Sequence, residues 1–266
     1  MLNKYIIFGF ISTLIVVVFL ALDARNASSQ VKGGFHDLSF SGQAKYKYDT
    51  FQVCIFCHTP HNANETQGYT TNPSTEAGGS TLGGKYLWNR RIPTHAWKVY
   101  TSSTLHADTS GGPGPLSLLC LSCHDGIGAM NVLLKYPSDT ATPGVFYSMG
   151  ITDNQFGDAQ LTDPNIGPLN IGEGQCSGDN CTTGGGELQN DHPIGFIYAD
   201  ARALDPTGLN IITDPALTAR MVLTGGRMEC NTCHDPHITN PVGAVKNKFL
   251  VMDNTGSAMC LACHNK

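Results

Sequence analysis

Hydrophobic positions in this chain are gathered at its start and scattered after it. Residues 5–22 form an 18-residue apolar run broken only by Gly9, Ser12 and Thr13. Lys4 places one positive charge just before the run, and Ala27-Ser28-Ser29 follows, offering a cleavage position before Gln30. This order of charged, apolar and small polar segments predicts a secretory signal peptide over residues 1–29. The run is also long enough to be a marginal membrane anchor, although no basic stop-transfer cluster follows it. Either way, the rest of the chain is expected outside the cytoplasm.

Beyond residue 30, stretches with helical or alternating periodicity are scarce. Residues 71–84, 110–115 and 182–186 are dense in Gly, Ser, Thr and Pro and read as turns and loops. The chain holds 30 Gly and 14 Pro, with only 8% aromatic residues, so a large aliphatic core is not expected. Unaided, that much irregular chain would argue against a compact domain.

The cysteines change this picture. Eight of the ten fall into four copies of one pattern: Cys54-Ile-Phe-Cys57-His58, Cys120-Leu-Ser-Cys123-His124, Cys230-Asn-Thr-Cys233-His234 and Cys260-Leu-Ala-Cys263-His264. Cys-x-x-Cys-His is the attachment signature of haem c. Two thiols at this spacing form thioethers to the two vinyl groups on one porphyrin edge, and the adjoining histidine becomes an axial ligand. A lone Cys-x-x-Cys would fit a redox dithiol or half a zinc site equally well. Four copies, each with its histidine, point to four covalent haems c. Each haem is a large flat apolar body, so the expected fold is mostly coil with short helices and few short strands, organised by the haems. Export agrees, because haem c is attached to exported apoprotein.

Six histidines lie outside the motifs: His36, His61, His95, His106, His192 and His237. The first and third sites share one form, His58-Thr-Pro-His61 and His234-Asp-Pro-His237. The second and fourth share another, Leu119-Cys-Leu-Ser-Cys-His124 and Met259-Cys-Leu-Ala-Cys-His264. Each site of the first form also follows a histidine beside an aspartate, His36-Asp37 and Asp191-His192. Residues 30–266 therefore read as a single domain of two diverged haem-pair units, at about residues 30–150 and 187–266. With two spare histidines per pair of haems, bis-histidine ligation is expected throughout, with His36, His61, His192 and His237 as the distal set.

Geometry constrains that set. Histidines on opposite faces of one iron have Cα atoms about 12 Å apart, given metal–nitrogen bonds near 2 Å. Three residues span only about 10–11 Å when extended, and must also round the porphyrin edge. His61 and His237 must therefore bind the iron of another haem, in this chain or a neighbour. His95 and His106 read better as ordinary polar residues or propionate partners. No methionine outside the motifs occupies a repeated position, so histidine rather than Met ligation is expected, with correspondingly low potentials.

Cys176 and Cys181 have no following histidine and read as a disulfide closing a short loop. Asn64 and Asn180 begin glycosylation sequons. Asp153, Asp158 and Asp163 read as a solvated acidic loop rather than a calcium site. The formal charge of −5 leaves no basic face for nucleic acid.

The string from His36 to Ser39, the run from Cys54 through His61 to Ala63, Leu87-Trp-Asn-Arg90, Leu119 to Gly126, Asp191-His-Pro-Ile194 and the segment from Glu229 onward together resemble the OmcE-type tetrahaem cytochromes. These motifs are scattered over most of the mature chain. The resemblance implies bis-histidine haems, little regular secondary structure and polymerisation into extracellular filaments. It also implies one distal histidine donated by a neighbouring subunit. On residue match the distal roles fall on His36, His61, His192 and His237. His61 is favoured for crossing the interface, since it lies near the start of the haem array and cannot bind its own haem. A head-to-tail contact of this kind is heterologous and propagates as a helix of subunits. Other redox proteins or extracellular acceptors are the remaining expected partners. A soluble periplasmic or surface shuttle is the alternative. Catalysis is not expected, because a reductase would need one iron with an open position.

Overall fold

The computed structural model describes residues 31–43, 47–63, 86–93, 96–125, 133–139, 148–149, 187–189, 191–238 and 249–265. The apolar run at 5–22, Asn64, the loops at 71–84 and 182–186, His95, the three loop aspartates, Cys176, Asn180 and Cys181 lie outside them. Among the described residues no helix is long and apolar enough to cross a membrane.

The chain is mostly coil. Among the described residues its strands are two-residue pieces in three separate ladders. Strand β1 (Lys47–Tyr48) pairs antiparallel with β3 (Ser148–Met149), and β2 (Lys98–Val99) runs parallel to β4 (Glu187–Leu188). Strand β5 (Phe196–Ile197) pairs antiparallel with β6 (Arg227–Met228). The helices are α1 (Pro115–His124), α2 (Tyr198–Leu204), α3 (Pro215–Leu223), α4 (Cys230–Cys233) and α5 (Ala258–Cys263), with 3-10 turns at Val53–Phe56 and Thr255–Ser257.

Local chemistry explains the two longest helices. Pro115 opens α1 and Pro215 opens α3, each with the φ a first helical residue needs. Asp214 caps α3, accepting the N–H groups of Ala216 at 2.8 Å and Leu217 at 3.2 Å. That helix stops at Gly225 and Gly226, whose φ values of +63° and +84° reverse the chain. Helix α1 has no cap of its own. A carboxylate from far along the chain, Glu229, takes that place: the N–H of Gly114 donates to its Oε2 at 3.1 Å, and the hydroxyl of Ser117 donates to it as well. A Cβ at Gly114 would fall 1.6 Å from Glu229 Oε1, so only glycine admits this approach.

Apolar packing is divided into small clusters that adjoin cysteines of the motifs. Tyr48, Ile55, Phe56 and Leu133 form one, and Trp88, Ile92, Leu118, Leu119, Leu121 and Leu188 another, with Cys57 packed against both. The third, Phe196, Tyr198, Ala201 and Met228, meets Cys263. The aliphatic core thus surrounds the attachment points rather than standing apart from them.

Candidate haem-ligand site

The first, third and fourth motifs share a backbone device. After its helical turn the chain becomes extended at the histidine, which forms an antiparallel bridge with a distant residue: His58 with Trp88, His234 with Leu250 and His264 with Leu209. In the first, Thr59 N donates to Leu87 O at 2.8 Å and Asn89 N to Cys57 O at 2.8 Å. In the third, Asp235 N donates to Phe249 O at 2.8 Å and Val251 N to Cys233 O at 2.9 Å. Leu87 and Phe249 both adopt positive φ, +52° and +59°, so the repeat extends to a strained position that composition does not reveal. The second motif departs from this pattern, ending the ten-residue helix α1 at His124.

Long-range polar contacts hold the motifs together. Trp88 Nε1 donates to Ser122 Oγ at 3.1 Å, and Arg90 Nε to Ser122 O at 3.3 Å, tying the first motif's bridge partner to the second motif. Between them, Asn89 is fully buried. Its Nδ2 donates to Ile55 O at 2.6 Å and Lys135 O at 2.7 Å, while its Oδ1 accepts Lys135 N at 2.7 Å. Glu229 binds the start of the second motif's helix to the start of the third's. Tyr198 Oη donates to Asn210 O at 2.8 Å and Cys263 O at 3.0 Å, fastening the fourth motif. Burial pushes that phenol up to about 12. Glu229 and Tyr198 carried no motif signal in the sequence, although Glu229 immediately precedes a motif cysteine.

Three pairs of imidazoles face one another. His36 and His124 have ring centres 6.2 Å apart, as do His58 and His237, and His192 and His264. Their ring planes differ, at 82°, 18° and 69° respectively. A common distance with uncorrelated tilt is what two rings on opposite sides of one metal produce. Two bonds of about 2 Å, plus about 1.1 Å from each nitrogen to its ring centre, place the centres about 6.2 Å apart. Each pair contains one motif histidine and one from outside the motifs, and each motif histidine directly follows its two thiols. The residues present therefore fit an iron porphyrin attached through Cys-x-x-Cys-His and held on both faces.

The ring nitrogens away from such a metal are held in different ways. His58 Nδ1 lies 2.7 Å from Tyr86 O, with the Trp88 ring edge-on at 5.5 Å. His192 Nδ1 lies 2.9 Å from Pro193 O. His237 Nδ1 lies 3.1 Å from Asp235 Oδ1. His36 Nδ1 is buried without a hydrogen-bond partner. Burial first, and then the neighbouring His124, His237 and His234, lower the pKa of His36 to about 4, keeping the ring neutral as a metal ligand must be. The preceding loop is fixed by Asp37, which accepts the N–H groups of Gly33 at 2.7 Å and Ser39 at 2.9 Å and the Ser41 hydroxyl at 2.9 Å.

His61 is placed otherwise. It is exposed, and among the described residues its ring meets no other imidazole. His234 is also exposed, lying near enough to His36 to act on its charge. His106 is exposed and stands in none of the three pairs. The motif thiols approach across motif boundaries. Cys57 and Cys123 lie near enough for their charges to interact, as do Cys120 and Cys230, and Cys233 and Cys263, and all six are free thiols. Burial pushes Cys57 up to about 12 and Cys233 up to about 11, so as free thiols they are protonated and apolar, like the thioethers that replace them.

Residues 222–266, which contain the third and fourth motifs, match the family model described as the doubled CXXCH motif. No curated protein matches the chain. The doubled motif supports covalent haem c binding and an electron-transfer role.

Proposed function

We propose that this multihaem c-type cytochrome carries four haems c, each between two histidines, and conducts electrons outside the cytoplasm as the repeating unit of a filament. The observation that carries the reading is the trio of imidazole pairs at one common separation. A haem on Cys54 and Cys57 would be held by His58 and His237, one on Cys120 and Cys123 by His124 and His36, and one on Cys260 and Cys263 by His264 and His192. The haem on Cys230 and Cys233 takes His234, which leaves His61 as the remaining distal histidine. Among the described residues the ring of His61 meets no other imidazole, and chain length bars it from the iron of His58, so it is the ligand offered to a neighbouring copy.

Haem iron supplies one-electron exchange, and the protein supplies its setting. Imidazole on both faces keeps the potential low and leaves no position for a substrate, so the chain conducts rather than catalyses. Thiols of successive motifs lie near enough to interact, which would bring the attached edges of neighbouring haems close together. A histidine given by one subunit to the next makes each interface an iron–nitrogen bond as well as a packing contact, and repeats without closing.

Electron microscopy of native haem-loaded protein sheared from cells tests the reading. Long unbranched filaments of this chain are expected, and His61→Ala should leave monomers with intact haem content. Compact monomers alone at high concentration from the unaltered chain would reduce the protein to a diffusing shuttle.

A further inference from the structure

His61 and His237 end the same turn, but only one of them is given a charged partner. In the first turn Thr59 stands two residues before the histidine. Its hydroxyl donates to His61 O at 2.7 Å and lies 3.4 Å from His61 N. In the second turn the equivalent residue is Asp235. Its Oδ1 accepts the backbone N–H of His237 at 2.9 Å and lies 3.1 Å from the same histidine's Nδ1. Its Oδ2 takes Nη2 of Arg220, on helix α3, at 2.6 Å. Asp235 and Arg220 are both largely shielded, with 18% and 24% of their side chains exposed, whereas His237 is 61% exposed. The partners of His58 and His192 are neutral backbone carbonyls. A carboxylate on the outer nitrogen of a metal-bound imidazole fixes its tautomer, aims its ring and raises its basicity.

We propose that Asp235, pinned by Arg220, is a positioning residue that acts through His237 on the iron between His58 and His237. It makes that imidazole a stronger electron donor and so holds this haem at a lower potential than a neutral partner would. The inference rests on the ligation proposed above. Arg220 has two opposed effects, locking the carboxylate in place and withdrawing part of its charge. Because the backbone N–H of His237 also holds Asp235 Oδ1, at 2.9 Å, the lock survives loss of Arg220 and the charge effect dominates, so the two residues should shift the potential in opposite directions.

The ring planes identify the haem to observe. Near-parallel imidazoles, here 18° apart, give a rhombic low-spin ferric spectrum, whereas the 82° and 69° pairs give the large-g form. Redox titration of the holoprotein followed by electron paramagnetic resonance resolves the rhombic component, and the part of it that His237→Ala removes belongs to this haem. With Asp235→Asn its reduction equilibrium should shift about tenfold toward the ferrous state, or 59 mV for a one-electron couple, while the large-g components stay in place. Asp235→Glu should recover part of the shift, and Arg220→Gln should move the same component the other way. A merely structural role would alter haem content or line shape and leave the potential where it was. The proposal is overturned if the rhombic potential is unmoved in fully loaded Asp235→Asn, or if Arg220→Gln moves it in the same direction as Asp235→Asn. Failure of the ligation itself reads differently: His237→Ala would then leave every haem low-spin.

Discussion

The backbone N–H of Cys230 donates to Ser117 Oγ at 3.0 Å, so the helix that begins the third motif is bonded to the first turn of the helix that ends in the second. The same hydroxyl donates to Glu229, and Glu229 N donates to Thr232 Oγ1 at 3.0 Å. The Glu229 side chain also accepts the backbone N–H of Thr232, so one buried carboxylate serves two helix starts. Glu229→Ala would leave the N–H of Gly114, the hydroxyl of Ser117 and Arg227 Nε without their acceptor. The expected cost is about 2–4 kcal/mol, read from denaturant unfolding of the holoprotein followed by haem absorbance.

The same residue predicts a pH dependence. Burial raises the Glu229 carboxyl above its ordinary value of 4.5, against the opposing bonds from Ser117 and Arg227. A folded-state value above the unfolded one means the folded protein holds the proton more tightly. The contribution is then complete below the unfolded value and is lost as pH rises through the folded one. As pH rises above that ordinary value of 4.5 the natural protein should lose stability relative to Glu229→Gln, whose amide does not ionise. Parallel stability curves for the two proteins would exclude burial of a charge at this position.

Substituting His237 by alanine tests the pairing across the halves of the chain. The side chain is 61% exposed, so the fold should tolerate its loss. One haem per chain should become high-spin in the ferric state and bind carbon monoxide when reduced. The natural protein should bind none, and stoichiometric binding by it would revive a reductase.

Asn89 and Asp214 offer a contrast between a buried bridge and a surface cap. Asn89→Ala leaves two carbonyls and one N–H without partners at a fully buried position, at a cost of about 2–4 kcal/mol. Asp214→Ala removes only the cap of α3, at a cost of about 1 kcal/mol. Thermal unfolding of the two variants in the same buffer should rank them in that order.

The coil-rich architecture was legible because glycine, proline and the absence of periodicity are local properties, and so are the attachment motifs. The internal repeat also singled out His36, His61, His192 and His237. The structure brings three of these to face motif histidines, and among the described residues the ring of His61 faces none. Which histidine faces which was not legible, since the approach of His237 to His58 depends on how two distant halves dock. Glu229 was hidden for a related reason. A glutamate beside a cysteine has no distinguishing pattern until its acceptor role, more than a hundred residues away in sequence, is seen. The left-handed positions at Leu87 and Phe249 were hidden because neither is a residue type that favours them.

The facing of His58 and His237 has a consequence for how the chain is made. Synthesis runs from the N-terminus at about 5–20 residues per second, and about 180 residues separate the two. On the ligation proposed above, a chain exported as it is made presents its first haem site without the second histidine for on the order of ten seconds or more. During that interval an attached haem would have one uncovered face, open to peroxide and other small molecules that the finished protein keeps out. A chain cut short anywhere before His237 would keep that face open, so incomplete copies would be the reactive ones.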